Sequence, residues 1–158
     1  MKKLLYLFLT IFLSFSLTGC SQLLGGAFFL YLATQSDDDR AEKDEVIEFV
    51  TANEAELRKA IEEGDFSAFE NQGFIKEIDA DEDVVDFSCG GAGMASQTAY
   101  VGFFYTPDND ITAIWCVHVS IDSFVPSGDG MFWQEPDGDN QCYIENICGN
   151  FYYYEASY

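Results

Sequence analysis

The chain reads as an α+β domain: an N-terminal helix packed on a mainly antiparallel sheet of about five to seven short strands, stapled by disulfides. Three observations predict this. Residues 41–63 carry Val46, Phe49, Val50, Leu57, Ala60 and Ile61 at helical spacing, which buries one face of a helix. From residue 73 onward the pattern changes to short runs rich in aromatic and β-branched residues, separated by clusters of Asp, Asn, Gly and Pro. Helix first and strands in succession, with no strand–helix–strand alternation, argues against a parallel sheet.

The helix has a start signal in Ser36-Asp37-Asp38-Asp39, whose oxygens suit the orphan N–H groups of a first turn, and a stop in Gly64. Thr51-Ala52-Asn53-Glu54 has capping-box form, so a break into two helices is expected near Thr51. Glu42, Glu45, Glu48, Glu56 and Glu63 form the solvated face. Strands are expected at 73–78, 84–89, 98–105, 113–121, 131–135, 142–147 and 151–157. Between them, Asp79-Ala80-Asp81-Glu82, Pro107-Asp108-Asn109-Asp110, Pro126-Ser127-Gly128-Asp129-Gly130, Pro136-Asp137-Gly138-Asp139-Asn140 and Gly149-Asn150 are turns. Cys89-Gly90-Gly91-Ala92-Gly93 is read as a pliable connection. It follows a strand as a phosphate loop would, but has no Lys or Arg beside it.

Ahead of the helix, Met1-Lys2-Lys3 precedes an apolar run over residues 4–17, closed by Leu17-Thr18-Gly19-Cys20. A cationic tip, a short apolar core and small residues at the cleavage point make a secretory signal, too short for a helix crossing about 30 Å of hydrocarbon. The four closing residues resemble the lipobox of bacterial lipoproteins. That resemblance implies that Cys20 is lipidated and begins the mature chain, anchored in the bacterial cell membrane or outer membrane and facing away from the cytoplasm. Ser21 at the following position implies outer-membrane sorting in a Gram-negative host. The organisation expected is a signal peptide over 1–19, lipid attachment and tether over 20–40, and one globular domain over 41–158. The tether contains the apolar run 23–33, with Phe28, Phe29 and Tyr31, suited to the membrane interface or to folding back on the domain.

The chain holds 28 acidic and seven basic residues; removal of Lys2 and Lys3 with the signal leaves five bases and a net charge of about −23. Such a field excludes nucleic acid and adhesion to anionic headgroups, because both need clustered Lys or Arg. It suits solvation, or a basic protein partner. With 15 Phe, nine Tyr and two Trp, the chain can build one aromatic-rich core.

Apart from Cys20, the cysteines are Cys89, Cys116, Cys142 and Cys148, an even number that reads as two disulfides in an exported chain. Cys142 and Cys148 share one expected strand and stand too far apart to pair. Cys89 with Cys148 and Cys116 with Cys142 are the pairings expected. With no Cys-x-x-Cys and a single histidine, His118, a zinc site is not expected.

A calcium loop starting at Asp137 fails the EF-hand pattern, since Cys142 and Cys148 hold its glycine and glutamate positions. The remaining calcium reading gathers Asp108, Asp110, Asp129, Asp137 and Asp139 at one end of the sheet, against the simpler account that these aspartates serve local turns. No other cofactor is expected. Catalysis would have to use His118, and no nucleophile elbow is present, so the chain reads as non-catalytic. In 151–158, Tyr152, Tyr154, Ala156 and Tyr158 share one strand face and Phe151, Tyr153 and Glu155 the other. Tyrosines left open on such a sheet stack on sugar rings or a partner protein. Two functions are therefore expected in outline: a binding module for an extracytoplasmic ligand such as a glycan, or an acidic inhibitor or immunity-type protein that neutralises a basic effector such as a cationic hydrolase.

Overall fold

A computed structural model describes residues 41–94, 97–117 and 119–157. The signal segment, Cys20, the apolar run 23–33, Ser36 to Asp39, His118 and Tyr158 lie outside the described residues.

The helical stretch forms two helices, α1 (Lys43–Ala52) and α2 (Glu54–Glu63). The break falls at Asn53, with φ −114° and ψ 16°. Its cause is not a Thr51 capping box. Asn53 turns its side chain back to donate to the Phe49 carbonyl at 2.8 Å, while Thr51 Oγ1 donates to the Ile47 carbonyl at 2.7 Å, and neither side chain caps α2. Gly64 ends α2 in the left-handed region at φ +66°, the conformation that favours glycine. The predicted acidic face is exposed throughout, and Val46, Val50, Leu57 and Ala60 are buried.

Among the described residues, seven antiparallel strands form one sheet in the order β1-β2-β3-β7-β6-β5-β4: β1 (Glu77–Ala80), β2 (Val85–Met94), β3 (Gln97–Tyr105), β4 (Val125–Ser127), β5 (Gly130–Gln134), β6 (Gln141–Cys148) and β7 (Phe151–Ser157). The last strand therefore sits at the centre, paired with β3 and β6. The expected connection at Cys89–Gly93 is instead part of β2, which continues past a bulge between Ser88 and Gly91, with Gly90 at φ 114°. A bulge absorbs one residue out of register without ending the strand, and Gly90 supplies the backbone it needs.

The strand expected at 113–121 does not form. Residues 106–117 and 119–124 run as a flap with two 3-10 turns, Ile111–Ala113 and Ile121–Ser123, started by the side chains of Asp110 and Ser120. Strand alternation fails because Cys116 and Val117 are both buried while Trp115 is exposed, and among the described residues the backbone bonds donated after Pro107 are local, such as Val117 N–H to the Ile114 carbonyl. A three-residue edge strand around Pro126 takes its place beside β5.

The sheet is covered on both sides. On one, α1 and α2 pack on Phe87, Phe103, Phe151 and Tyr153, with Phe87 and Phe103 stacked at 4.5 Å. On the other, Ile114, Cys116, Val117 and Phe124 of the flap pack on Phe104, Cys142, Ile144, Tyr154 and Ala156. Gly102 is required by this second core, because a Cβ there would lie 2.6 Å from both the Phe87 carbonyl oxygen and the Tyr154 hydroxyl.

Candidate functional site

The flap does not cover its side of the sheet completely. Where it meets β5, β6 and β7 it leaves a cleft of about 640 Å³, lined among others by Asp110, Ile121, Asp129, Met131, Ile144 and Tyr152. Three of the sequence-predicted binding residues, Tyr152, Asp110 and Asp129, meet here from three separate parts of the chain.

Each is placed by identifiable contacts. Tyr152 points to the flap side by strand parity, stacks on Phe104 with ring centres 5.3 Å apart, and donates its hydroxyl to Asn109 Oδ1 at 3.0 Å. Partial burial lifts its phenol above the ordinary range. Asn109 is a non-glycine residue at φ +58°, a sparsely populated conformation that recurs at ligand sites. Its turn is held by Asn150, whose Nδ2 donates to the Thr106 and Pro107 carbonyls at 2.9 and 2.7 Å. Asp110 Oδ1 accepts from Thr112 N–H at 2.9 Å and Thr112 Oγ1 at 2.6 Å, and these bonds hold its carboxyl below the usual range, so it is anionic at neutral pH. Asp129 reaches the cleft from the β4–β5 turn, whose Gly128 adopts φ +59°. The floor is apolar, the rim offers carboxylate and amide oxygens, and no Lys or Arg is among the lining residues.

Other predicted residues fall elsewhere. Tyr154 shares the face of Tyr152, as its parity requires, but is 0% exposed and closed to any ligand. Asp137 and Asp139 sit in the β5–β6 turn, at the end of the sheet where Gln141 faces Ser157, whereas Asp110 and Asp129 lie toward the end where Cys148 faces Phe151. Asp108 belongs to that second end, in the turn after β3. The five aspartates thus do not converge, and among the described residues no group of three metal-ligating side chains comes together.

Beneath the flap lies a residue the sequence reading missed. Asp86 is only 9% exposed; its Oδ2 accepts from Trp115 Nε1 at 2.9 Å and Tyr154 hydroxyl at 3.4 Å, and its Oδ1 has no partner among the described residues. Burial pushes its carboxyl up to about 6, against the opposing pull of those two bonds. The signal was an acid between Val85 and Phe87, at a position of β2 that faces away from the helices.

The four cysteines among the described residues divide into a pair and two singles. Cys116 Sγ and Cys142 Sγ lie 3.7 Å apart, both fully buried. Cys89 and Cys148 cannot pair as expected. The row of Cys148 crosses Phe151 and Tyr105 to reach β2 at Val85, so the two cysteines stand three strand spacings apart, roughly 14 Å, before a four-residue offset along the strands is added.

Comparison with protein-family models, curated proteins and solved structures gave no match.

Proposed function

We propose that the protein is an exported, lipid-anchored, acidic and non-catalytic binding module, disulfide-stapled in its oxidising compartment, that holds an extracytoplasmic ligand in the cleft beside Tyr152. The observation carrying this reading is the meeting of an aromatic ring, an apolar floor and acceptor side chains in one concave site. That combination suits a glycan, whose C–H face covers Tyr152 and Met131 while its hydroxyls donate to Asp129 and the amide oxygens of the rim. The lipobox-like Leu17-Thr18-Gly19-Cys20 supports the anchor.

The test is capture of envelope glycans by the purified protein, competed by soluble fragments of the same glycans. Tyr152→Ala and Asp129→Asn should each weaken capture about tenfold without changing its salt dependence; undiminished capture by both variants would move the site away from the cleft.

One observation favours a second reading, the inhibitor of a basic effector. Lys43 pairs with Glu145, Arg58 with Glu54 and Lys59 with Glu63, so these cations are partly neutralised in place, while Glu42, Glu45, Glu48 and Glu56 form no ion pair among the described residues. Capture of a cationic hydrolase that falls steeply with salt and ignores Tyr152→Ala would select that reading.

A further inference from the structure

The flap is joined to the sheet by side chains rather than by a strand ladder, and its middle carries Cys116 against Cys142 of β6. Two residues along the same strand face, Ile144 forms the floor of the cleft, while residues 109–112, Ser120 and Ile121 of the flap form its wall. We infer that Cys116 and Cys142 form a disulfide in the mature protein, clasping the flap to β6 and fixing the wall of the cleft, while Cys89 and Cys148 remain thiols.

Geometry supports each part. Closing 3.7 Å between sulfurs to a bond of about 2.05 Å needs only small side-chain rotations, whereas every pairing that involves Cys89 with Cys148, or Cys142 with Cys148 on one strand, needs the sheet to come apart. The neighbouring Cys142 thiol and burial hold the Cys116 thiol far above its ordinary range, so it is inert once the flap has closed. The bond therefore forms during folding, by exchange with a disulfide oxidant. A Cys116 thiolate attacks one sulfur of the oxidant and expels the other as a thiolate. Cys142 thiolate then attacks the Cys116 sulfur and releases the oxidant's second thiolate. The protein loses two electrons and two protons, and the oxidant's disulfide becomes two thiols. Once formed, the bond lies in the second core, out of reach of reductant, which makes it a structural clasp rather than an exchanging redox centre.

The disulfide stands independently of the binding function; its consequence for the cleft rests on that reading. Detergent-solubilised full-length protein from an oxidising compartment is denatured and alkylated without reduction, so that buried thiols such as Cys89 are reached, then digested and mapped by mass. Peptides containing Cys116 and Cys142 should be found linked, and Cys89 and Cys148 alkylated. Alkylation at all four positions, or linkage through Cys89 or Cys148, would overturn the assignment. Amide exchange is then compared before and after reduction in mild denaturant. Residues 106–117 and 119–124 should exchange at least tenfold faster after reduction, β3 and β7 should change little, and melting should fall by roughly 10 °C. A linked pair with unchanged flap exchange would overturn the clasp. Failure of the protected, oxidised protein to capture any envelope glycan would count against the binding reading and leave the clasp intact.

Discussion

Strand parity made single residues legible where a strand formed. Tyr152, Tyr154 and Ala156 lie on one side of β7 and Phe151 and Tyr153 on the other, as the alternation requires. Parity could not say which side would be covered, and so Tyr154 is buried although it looked available. Asp86 shows the same gap from the opposite direction: it reads as the wet side of β2 until the flap closes over it. Its energetics follow from its raised carboxyl. The folded state holds the proton up to about pH 6, the unfolded state only to about 3.8, so folding is favoured most below the unfolded value and loses support as pH rises through 6. The loss is roughly 2 kcal/mol between pH 4 and 7. Asp86→Asn should flatten this part of the profile, seen as a smaller fall in unfolding free energy from pH 5 to 7.5 by urea titration. Equal slopes in both proteins would show that Asp86 is not buried as a charge. A second substitution tests the packing around it. Gly102→Ala should cost about 1–3 kcal/mol, because the added methyl meets the Phe87 carbonyl and the Tyr154 hydroxyl.

Elements were legible where one periodicity ruled them. The two helices kept their apolar spacing, and β3, β5, β6 and β7 lie within one residue of their expected starts. The flap was not legible because Ile114, Cys116 and Val117 satisfy a strand template as readily as a packed loop; what separates them is capping by Asp110 and Ser120 and burial against β6, a non-local partner. Nor could adjacency place β7. Successive strands pair often enough to suggest a meander, yet the last strand fills the gap between β3 and β6. If the flap is a packed layer, Ile114→Ala and Phe124→Ala should each cost about 2–5 kcal/mol, the range for removing buried methylenes or a buried ring. Substitution at exposed Ile121 should cost under about 0.5 kcal/mol in stability while altering the cleft. A flap that tolerates Phe124→Ala as it tolerates change at Ile121 would be a surface loop without a core of its own.

At the scale of the whole molecule, charge is the property the fold does least to offset. The 28 acidic residues face seven basic ones over the full chain, and three of those bases are engaged in local pairs at Lys43, Arg58 and Lys59. Lys43 is further held between the Tyr143 and Tyr153 rings, 4.9 and 5.8 Å from their centres, and Arg58 over Tyr105 and Phe151 at 5.5 and 5.4 Å, so these cations bind the helices to the sheet more than they dilute the outer field. The exposed carboxylates of α1 and α2 consequently repel one another across distances comparable to the Debye length at low ionic strength. Folding compacts these charges and should become easier as salt screens them. Raising sodium chloride from about 10 mM, where the Debye length is roughly 30 Å, to about 150 mM, where it is roughly 8 Å, should therefore raise the melting temperature at pH 7.5. Most of that gain should disappear at pH 4, where many carboxylates are neutral. Local ion pairs respond in the opposite direction, weakening with salt. A melting temperature that falls on adding salt would mean that the pairs at Lys43, Arg58 and Lys59 outweigh the net field, and that the acidic surface exerts too little long-range force to steer a cationic partner.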